Sequence, residues 1–452
     1  MVGVEDRVLS DAPLTSVDLA QQIRDGLVDA EEVVRACLGR IDEAEEQVQA
    51  WAHLDTEYAI QQAQQLDAIR GAADVVGPLH GLPVGVKDIF DTADLPTENG
   101  TVIDAGRQPE EDAFVISQLK EAGAVILGKT VTTELAVYAP GKTRNPHNPA
   151  HTPGGSSSGS AAAVATGMVP LAIGTQTNGS TIRPAAYCGV FGFKPTHGLI
   201  SRTGVLEQSR ALDTIGVFGR SVEDVALLAQ SISAYDDADP DSRLRARPRL
   251  LEIAGEEPPL DPMFAFVKTP VWETATDETQ AAFAELSAFL GEQCDEVPLP
   301  DPFDQALDCH RTIICADLAK NFAHYHRAGA DRLSETLRAM IEEGQQTLAV
   351  DYNRAIDWVA VLNAGLDQIF DRYDAILTPA TAGTAPAGLE STGSPAFCTL
   401  WTLCGTPAIT VPLMQGSNGL PLGVQLVGRR GDDARLLRTA RWLAAHVEAA
   451  EG

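Results

Sequence analysis

The 452-residue chain carries 33 Lys and Arg against 63 Asp and Glu, a formal charge of −30, with 44% hydrophobic and 21% charged residues. That length allows up to about three domains of ordinary size or one large α/β domain, and it supports a core without metal or disulfide staples. So acidic a surface repels phosphate backbones and anionic lipid, and binding either needs a local basic patch; basic residues are scattered, and the densest run is RARPR at 245–249.

The N-terminal MVGVEDRVLSDAPLTS lacks the basic start and apolar core of a signal peptide. Residues 16–70 predict two or three amphipathic helices. The first is capped by Ser16, with Leu19, Ile23 and Leu27 at helical spacing, and the next carries Val33, Val34, Cys37, Leu38 and Ile41 on one face. From residue 80 the texture changes: GLPVGVKDIF and AGAVILGKT are short apolar runs of the buried-strand kind. SQLKEAGAVILGK reads as a helix entering a strand, an α/β signature. GGSSSGSAAAVATGM begins as a loop and becomes an Ala-rich helix, and MVPLAIGTQTNGS is a strand running into a second small-residue loop.

RSVEDVALLAQSISA predicts a capped helix, 237–262 a surface excursion, PMFAFVKTP a strand and TDETQAAFAELSAFLGEQ a helix. Long helical patterns occupy 305–347 and 351–370, and DAILTPATAG is again a strand. PAITVPLMQGSNGLPLGVQLVG reads as a hairpin around SNG, and the chain ends in a helix. There is no internal repeat and no linker that demands a boundary. The expected fold is α/β: one large domain, 1–452, with a central mixed sheet flanked by helices on both faces. Its N-terminal helices fall at about 16–70 and a variable helical segment at about 300–370.

The seven cysteines are odd in number, widely spaced and without CxxC, so they read as reduced, buried thiols. His324 and His326 stand two apart on a helical stretch and face different ways, and there is no HExxH, so no metal site is expected. No run reaches the roughly 18 apolar residues of a membrane-spanning helix. A cytoplasmic location is expected. Only seven of the basic residues are lysines; base composition of the genome is the simpler account, salt adaptation the other.

Three segments carry candidate chemistry. In GLPVGVKDIFDT (81–92), Lys87 sits in a strand-like apolar setting. A lone lysine there ordinarily snorkels or pairs, but Asp88 points to the opposite face, and a desolvated lysine loses its proton more readily and becomes a base. In TPGGSSSGSAAAVA (152–165) the glycines precede a helix without a break, which suits neither a flexible linker nor a P-loop, since no lysine follows. What remains is a tight loop that aims hydroxyls and backbone N–H groups at one place. In GTQTNGSTIRPAAYCG (174–189) small residues before Ser180 let consecutive N–H groups converge, as an oxyanion hole requires. A packing loop is the plain alternative, and the segment is not a G-x-S-x-G elbow.

Together the three segments, GVKD, GGSSSGSAAAVA and GTQTNGS, resemble the amidase signature family, with 24 residues from Ser156 to Ser180. The resemblance extends to FGFKPTHGLISRTGV (191–205), LDTIGVFGRSVEDVALL (212–228) and GLPLGVQLVG (419–428), and is weakest over about 237–380. It implies a Ser–cis-Ser–Lys hydrolase: Ser180 the nucleophile, Ser156 a bridging serine after a cis peptide bond, Lys87 the base. The N–H groups of Thr177, Asn178, Gly179 and Ser180 would form the oxyanion hole, and no metal or organic cofactor is needed. Tyr138, in LAVYAPG, stands near a position from which the family commonly contacts substrate; an ordinary packed aromatic is the alternative, and core packing is the better reading of Trp401.

The implied activity is hydrolysis of the C–N bond of a small or medium amide through a seryl acyl-enzyme, with carbamates, anilides or esters as related substrates. The implied partners are a small amide or carbamate, without nucleic acid or membrane, and with a homodimer allowed. Two other readings are the amidase component of a tRNA-dependent amidotransferase and a non-catalytic binding protein on the same fold. The commonest family form reads GTDTGGSIRIPA. Here Gln176 and Asn178 replace its Asp and Gly, Ile182 stands where its arginine does, and Arg183 follows one place on. Loss of both charged residues together avoids a stranded buried charge.

Overall fold

The computed structural model describes residues 15–72 and 75–451; the N-terminal reading of residues 1–14 lies outside the described residues. Eleven strands form one sheet in the order β1-β3-β2-β4-β6-β5-β10-β11-β9-β7-β8. They are β1 Trp51–Leu54, β2 Pro83–Lys87, β3 Val125–Thr130, β4 Leu171–Gln176, β5 Phe191–Lys194 and β6 Thr214–Gly219, then β7 Phe264–Phe266, β8 Cys294–Glu296, β9 Ala375–Pro379, β10 Ala408–Gln415 and β11 Pro421–Val427. Strands β3, β2 and β4 run parallel, as do β9, β7 and β8, while antiparallel pairings link the two groups, so the sheet is mixed as expected.

Alternation along the strands sends successive side chains to opposite faces. Phe264 and Phe266 enter one hydrophobic cluster and Ala265 and Val267 the other; Ala375 and Leu377 divide from Ile376 in the same way. The first cluster packs under helices α1 Ser16–Arg24, α2 Ala30–Val48, α3 Thr56–Ala72, α4 Phe114–Glu121, α5 Ser158–Ala165, α6 Ile182–Cys188, α7 Val222–Ile232, α8 Leu250–Ala254 and α9 Asp277–Leu290. The second lies under α10 Ala306–Asn321, α11 Ala323–Gly329, α12 Glu335–Gly344, α13 Ala349–Phe370 and α14 Ala396–Leu403; helix α15, Asp433–Glu451, returns to the first. The strands buried on both faces are therefore the near-continuous apolar runs of the sequence.

Three details differ from expectation. Thr15, not Ser16, caps α1 by accepting from the Asp18 N–H, and Ser16 is already helical and buried. The helix stops at Arg24, so Leu27 falls beyond it and is exposed. A strand, Trp51–Leu54, interrupts the N-terminal helices because Trp51 and Leu54 pair with the edge of β3. The 237–262 surface excursion is anchored: buried Asp239 holds Arg202 at 2.6 Å, and Asp236, just before it, accepts from Ser201 and Thr203.

Helix α5 is pressed against the end of β3. A Cβ on Gly159 would lie 2.2 Å from the Ala50 carbonyl oxygen and 2.4 Å from the Val131 nitrogen. Neither backbone atom can yield easily, so Gly159→Ala is expected to cost about 1–3 kcal/mol in urea unfolding, and to lower activity by displacing the helix that begins just after Ser156.

Candidate active site

The site is built where β2 and β4 end side by side. They pair in parallel, with Val86 beside Ile173, so Lys87 closes one strand next to the turn that closes the other. Lys87 is fully buried, and its Nζ lies 2.7 Å from Ser156 Oγ and 2.9 Å from Thr175 Oγ1. Burial holds Lys87 well below the usual lysine range, and the nearby Asp213 opposes this in part. Asp88 points the other way, as strand alternation requires, and pairs with Lys129 at 3.4 Å.

The peptide bond between Gly155 and Ser156 is cis. Ser157 ties this loop to the next: its N–H donates to the Ser180 carbonyl at 3.3 Å, and its Oγ donates to the Thr175 carbonyl at 3.2 Å. Buried Arg183 reaches the same loop from behind, donating from Nη2 to the Gly155 carbonyl at 2.7 Å and to Thr392 Oγ1 at 3.1 Å. Lys87 is 0%, Ser156 2% and Ser180 9% exposed.

Residues 177–180 form the turn between β4 and α6, and hydrogen bonds from several elements fix it. Gln176 Oε1 accepts the N–H groups of Thr181 and Ile182 at 2.8 and 2.9 Å, two of the donors that a helix start leaves unpaired. Its Nε2 donates to Thr402 Oγ1 at 3.0 Å, and Thr402 in turn donates to the Asn178 carbonyl. Thr399 donates to Asn178 Oδ1 at 2.7 Å. Buried His310 on α10 meets the Thr177 carbonyl at 2.9 Å; a carbonyl only accepts, so Nε2 carries the proton, and burial holds the imidazole down at about 4 and neutral.

Gln176 is therefore neither solvated nor paired with Arg183. It satisfies a helix start, which the expectation of a missing charged pair did not contain. Tyr138 is brought to the same turn, with its OH accepting from Asn178 Nδ2 at 2.9 Å. The segment behind it is strapped down, since Gln208 Nε2 donates to the carbonyls of Leu135 and Ala136. Trp401 is fully buried core. His310, Thr399, Thr402 and Asp213 escaped the sequence reading: each bonds to the turn from 36 to 224 residues away, and of the four only Asp213 lies in a quoted motif, LDTIGVFGRSVEDVALL, where nothing marked it as part of the site. Among the described residues no group of three or more His, Cys, Asp or Glu is placed to hold a metal ion.

A buried lysine amine bonded to a serine hydroxyl, close to a turn that carries a further serine and several backbone N–H groups, is suited to nucleophilic acyl transfer. The comparisons agree with that class. The amidase family model matches residues 32–437. A glutamyl-tRNA(Gln) amidotransferase subunit of Symbiobacterium thermophilum is 34% identical, over 96% of both chains. The corresponding amidotransferase subunit of Chloroflexus aggregans is 35% identical, over 91% of this chain and 92% of its own. Among solved structures, the peptide amidase of Stenotrophomonas maltophilia superposes with a TM-score of 0.83 at 28% identity, covering 97% of this chain and 98% of its own. A 6-aminohexanoate cyclic dimer hydrolase superposes with a TM-score of 0.84 at 25% identity, covering 96% and 97%. The chain belongs to the amidase family, and it is an amidase-type enzyme.

The bonds of Gln176 make its replacement testable. In Gln176→Asp the carboxylate is one methylene shorter and cannot donate to Thr402, which then has to turn from the Asn178 carbonyl. Unfolding should show a loss of about 1–3 kcal/mol, the scale for a buried polar group left unpaired, and turnover should fall with it. Thr402→Val should reproduce part of both losses, and the two changes together should cost less than their sum.

Proposed function

We propose that this chain hydrolyses the C–N bond of a small or medium amide, with Ser180 as nucleophile, Ser156 as bridge and Lys87 as base. The observation that carries the reading is the fully buried Lys87, 2.7 Å from Ser156 Oγ and held toward its neutral form by burial. Neutral Lys87 takes the Ser156 proton while Ser156 takes that of Ser180, and Ser180 Oγ attacks the carbonyl carbon. The N–H groups of Thr177, Asn178, Gly179 and Ser180 receive the developing oxyanion. Collapse breaks the C–N bond, and the proton returns through Ser156 to the leaving amine. Water, deprotonated along the same path, then splits the acyl-enzyme and restores Ser180. Carbamates, anilides and esters undergo the same acyl transfer, and Tyr138, beside Asn178, is placed to touch the acyl group.

The substrate in this reading is a small molecule, and a homodimer is compatible with it. A cytoplasmic setting is supported by seven cysteines that are all free and buried, and no described helix is long and apolar enough to cross a membrane. A second reading is favoured by the relatives that are glutamyl-tRNA(Gln) amidotransferase subunits: the chain would then supply ammonia within a complex. The charge of −30 weighs against close work with tRNA. Purification from the native source separates the two, since the second requires partner proteins to copurify and glutamine to be the amide consumed.

Ser180→Ala should abolish hydrolysis across a panel of aliphatic amides, aryl amides, ureas and carbamates while leaving the melting curve unchanged; near-wild-type turnover would sink the assignment. Lys87→Ala should be at least as damaging as Ser156→Ala, with losses of about 10²–10⁴-fold for a general base, because water can stand in for a bridging hydroxyl but not for the base. Since Lys87 must be neutral to accept a proton, the rate should rise with pH to a plateau. A flat profile between about pH 5 and about pH 9, with chemistry rate-limiting, would count against Lys87 as base.

A further inference from the structure

A cavity of about 110 Å³ is lined in part by Thr175, the residue that accepts from Lys87 Nζ, and by Thr177. Its floor is Thr175, Thr177, Asp213 and Ile215, all buried, and its rim includes the exposed Glu207 and Arg210. The register explains the floor. Strands β4 and β6 are antiparallel with Gln176 opposite Thr214, so the next step places Asp213 beside Thr177. Thr177 Oγ1 donates to Asp213 Oδ1 at 2.6 Å, and the N–H groups of Gln208 and Ser209 donate to Oδ2 at 2.9 and 3.0 Å. Two residues back on the same side of β4, Thr175 Oγ1 takes the bond from Lys87 Nζ at 2.9 Å. The carboxylate and the lysine thus flank one pair of threonines.

Resting on the Lys–Ser–Ser reading above, we propose that Asp213 is a positioning residue for that chemistry. Its charge steadies Lys87 in the protonated state that the base enters as Ser180 attacks, and its bond to Thr177 fixes the strand end that presents the oxyanion donors.

The surrounding charges leave this role to Asp213. Asp88 is turned to Lys129 on the other face of the strand. Arg202 attracts Asp213 but is itself held by Asp239 and Asp241 at 2.6 and 2.7 Å, and Arg210 is held by Asp241. His310, on the far side of Thr177, is neutral, and Glu207 lies at the exposed rim. Burial pushes Asp213 up to about 6 against the three donors that favour its anion, so it carries its charge above that pH. A lysine that gains a proton in a dry site is costly without a counter-charge, and this carboxylate supplies one without a direct contact that would quench the base.

The test is the pH–rate profile. Asp213→Asn removes the charge and keeps the shape. The midpoint of the rising limb should move about one unit lower, a tenfold loss of proton affinity at Lys87. The plateau kcat should fall about tenfold or more while KM changes little. Thr177→Val, which cuts the tether but leaves the carboxylate, should lower kcat with its midpoint near that of the wild type, and Asp213→Glu should restore the midpoint. Asp213→Ser guards against a poor fit of the amide. An unmoved midpoint in a folded Asn or Ser variant overturns the proposal. So does failure of both to fold, since the carboxylate would then serve the fold rather than the site. Activity surviving in Ser180→Ala would instead overturn the underlying reading and not this inference alone.

Discussion

Everything around the site depends on keeping Lys87 buried without a direct ion partner. A lysine in an apolar sheet ordinarily either finds a carboxylate or pulls its ammonium to the surface. Here two hydroxyls, Ser156 Oγ and Thr175 Oγ1, take the Nζ contacts, and the adjacent Asp88 is committed to Lys129 on the other side of β2. The fold thus separates two buried lysines one strand apart. Lys129 is saturated by Asp88, Thr97 and the carbonyls of Phe90 and Pro96, as a structural cation is. Lys87 is given only groups that can pass a proton on.

That arrangement demands a rigid frame, and the parallel pairing of β2 with β4 provides it. Parallel neighbours end at the same edge of the sheet, so the lysine and the Ser180 turn emerge together and need no long loop to meet. The turn is then held from both directions: Gln176 from below through a helix start, and α14 and α10 from above through Thr399, Thr402 and His310. The helices of the second cluster therefore do two jobs. They cover one face of the sheet, and they hold the backbone that is proposed to bind the oxyanion.

The same economy applies to the departures from the usual family sequence. A charged pair at 176 and 182 is replaced by one amide that serves two donors and one acceptor, and Asn178 is secured by three side chains: Tyr138, Thr399 and Thr402. A neutral network can hold the turn as firmly as an ion pair because every member is paired, which is the condition for buried polar groups to be tolerated.

The sequence by itself determined the strands and helices with strong periodicity, from GLPVGVKDIF to the terminal helix, and through its motifs the family, and it singled out Lys87, Ser156 and Ser180 as candidates. These were legible because tight turns and buried strands restrict residue type locally: a Cβ at 159 would lie 2.2 Å from the Ala50 carbonyl oxygen, so only glycine fits there. It misplaced the first cap, ran α1 on to Leu27 and missed the edge strand at Trp51, since a cap and an edge pairing depend on which neighbour is present. Only the tertiary structure decided what Gln176 is for, that His310 is neutral and reaches the Thr177 carbonyl, and that Asp213 stands beside Thr177. A hydrogen bond between residues 36 or 133 positions apart leaves no period and no spacing in the chain, because it is set by strand register and helix packing and not by local preference.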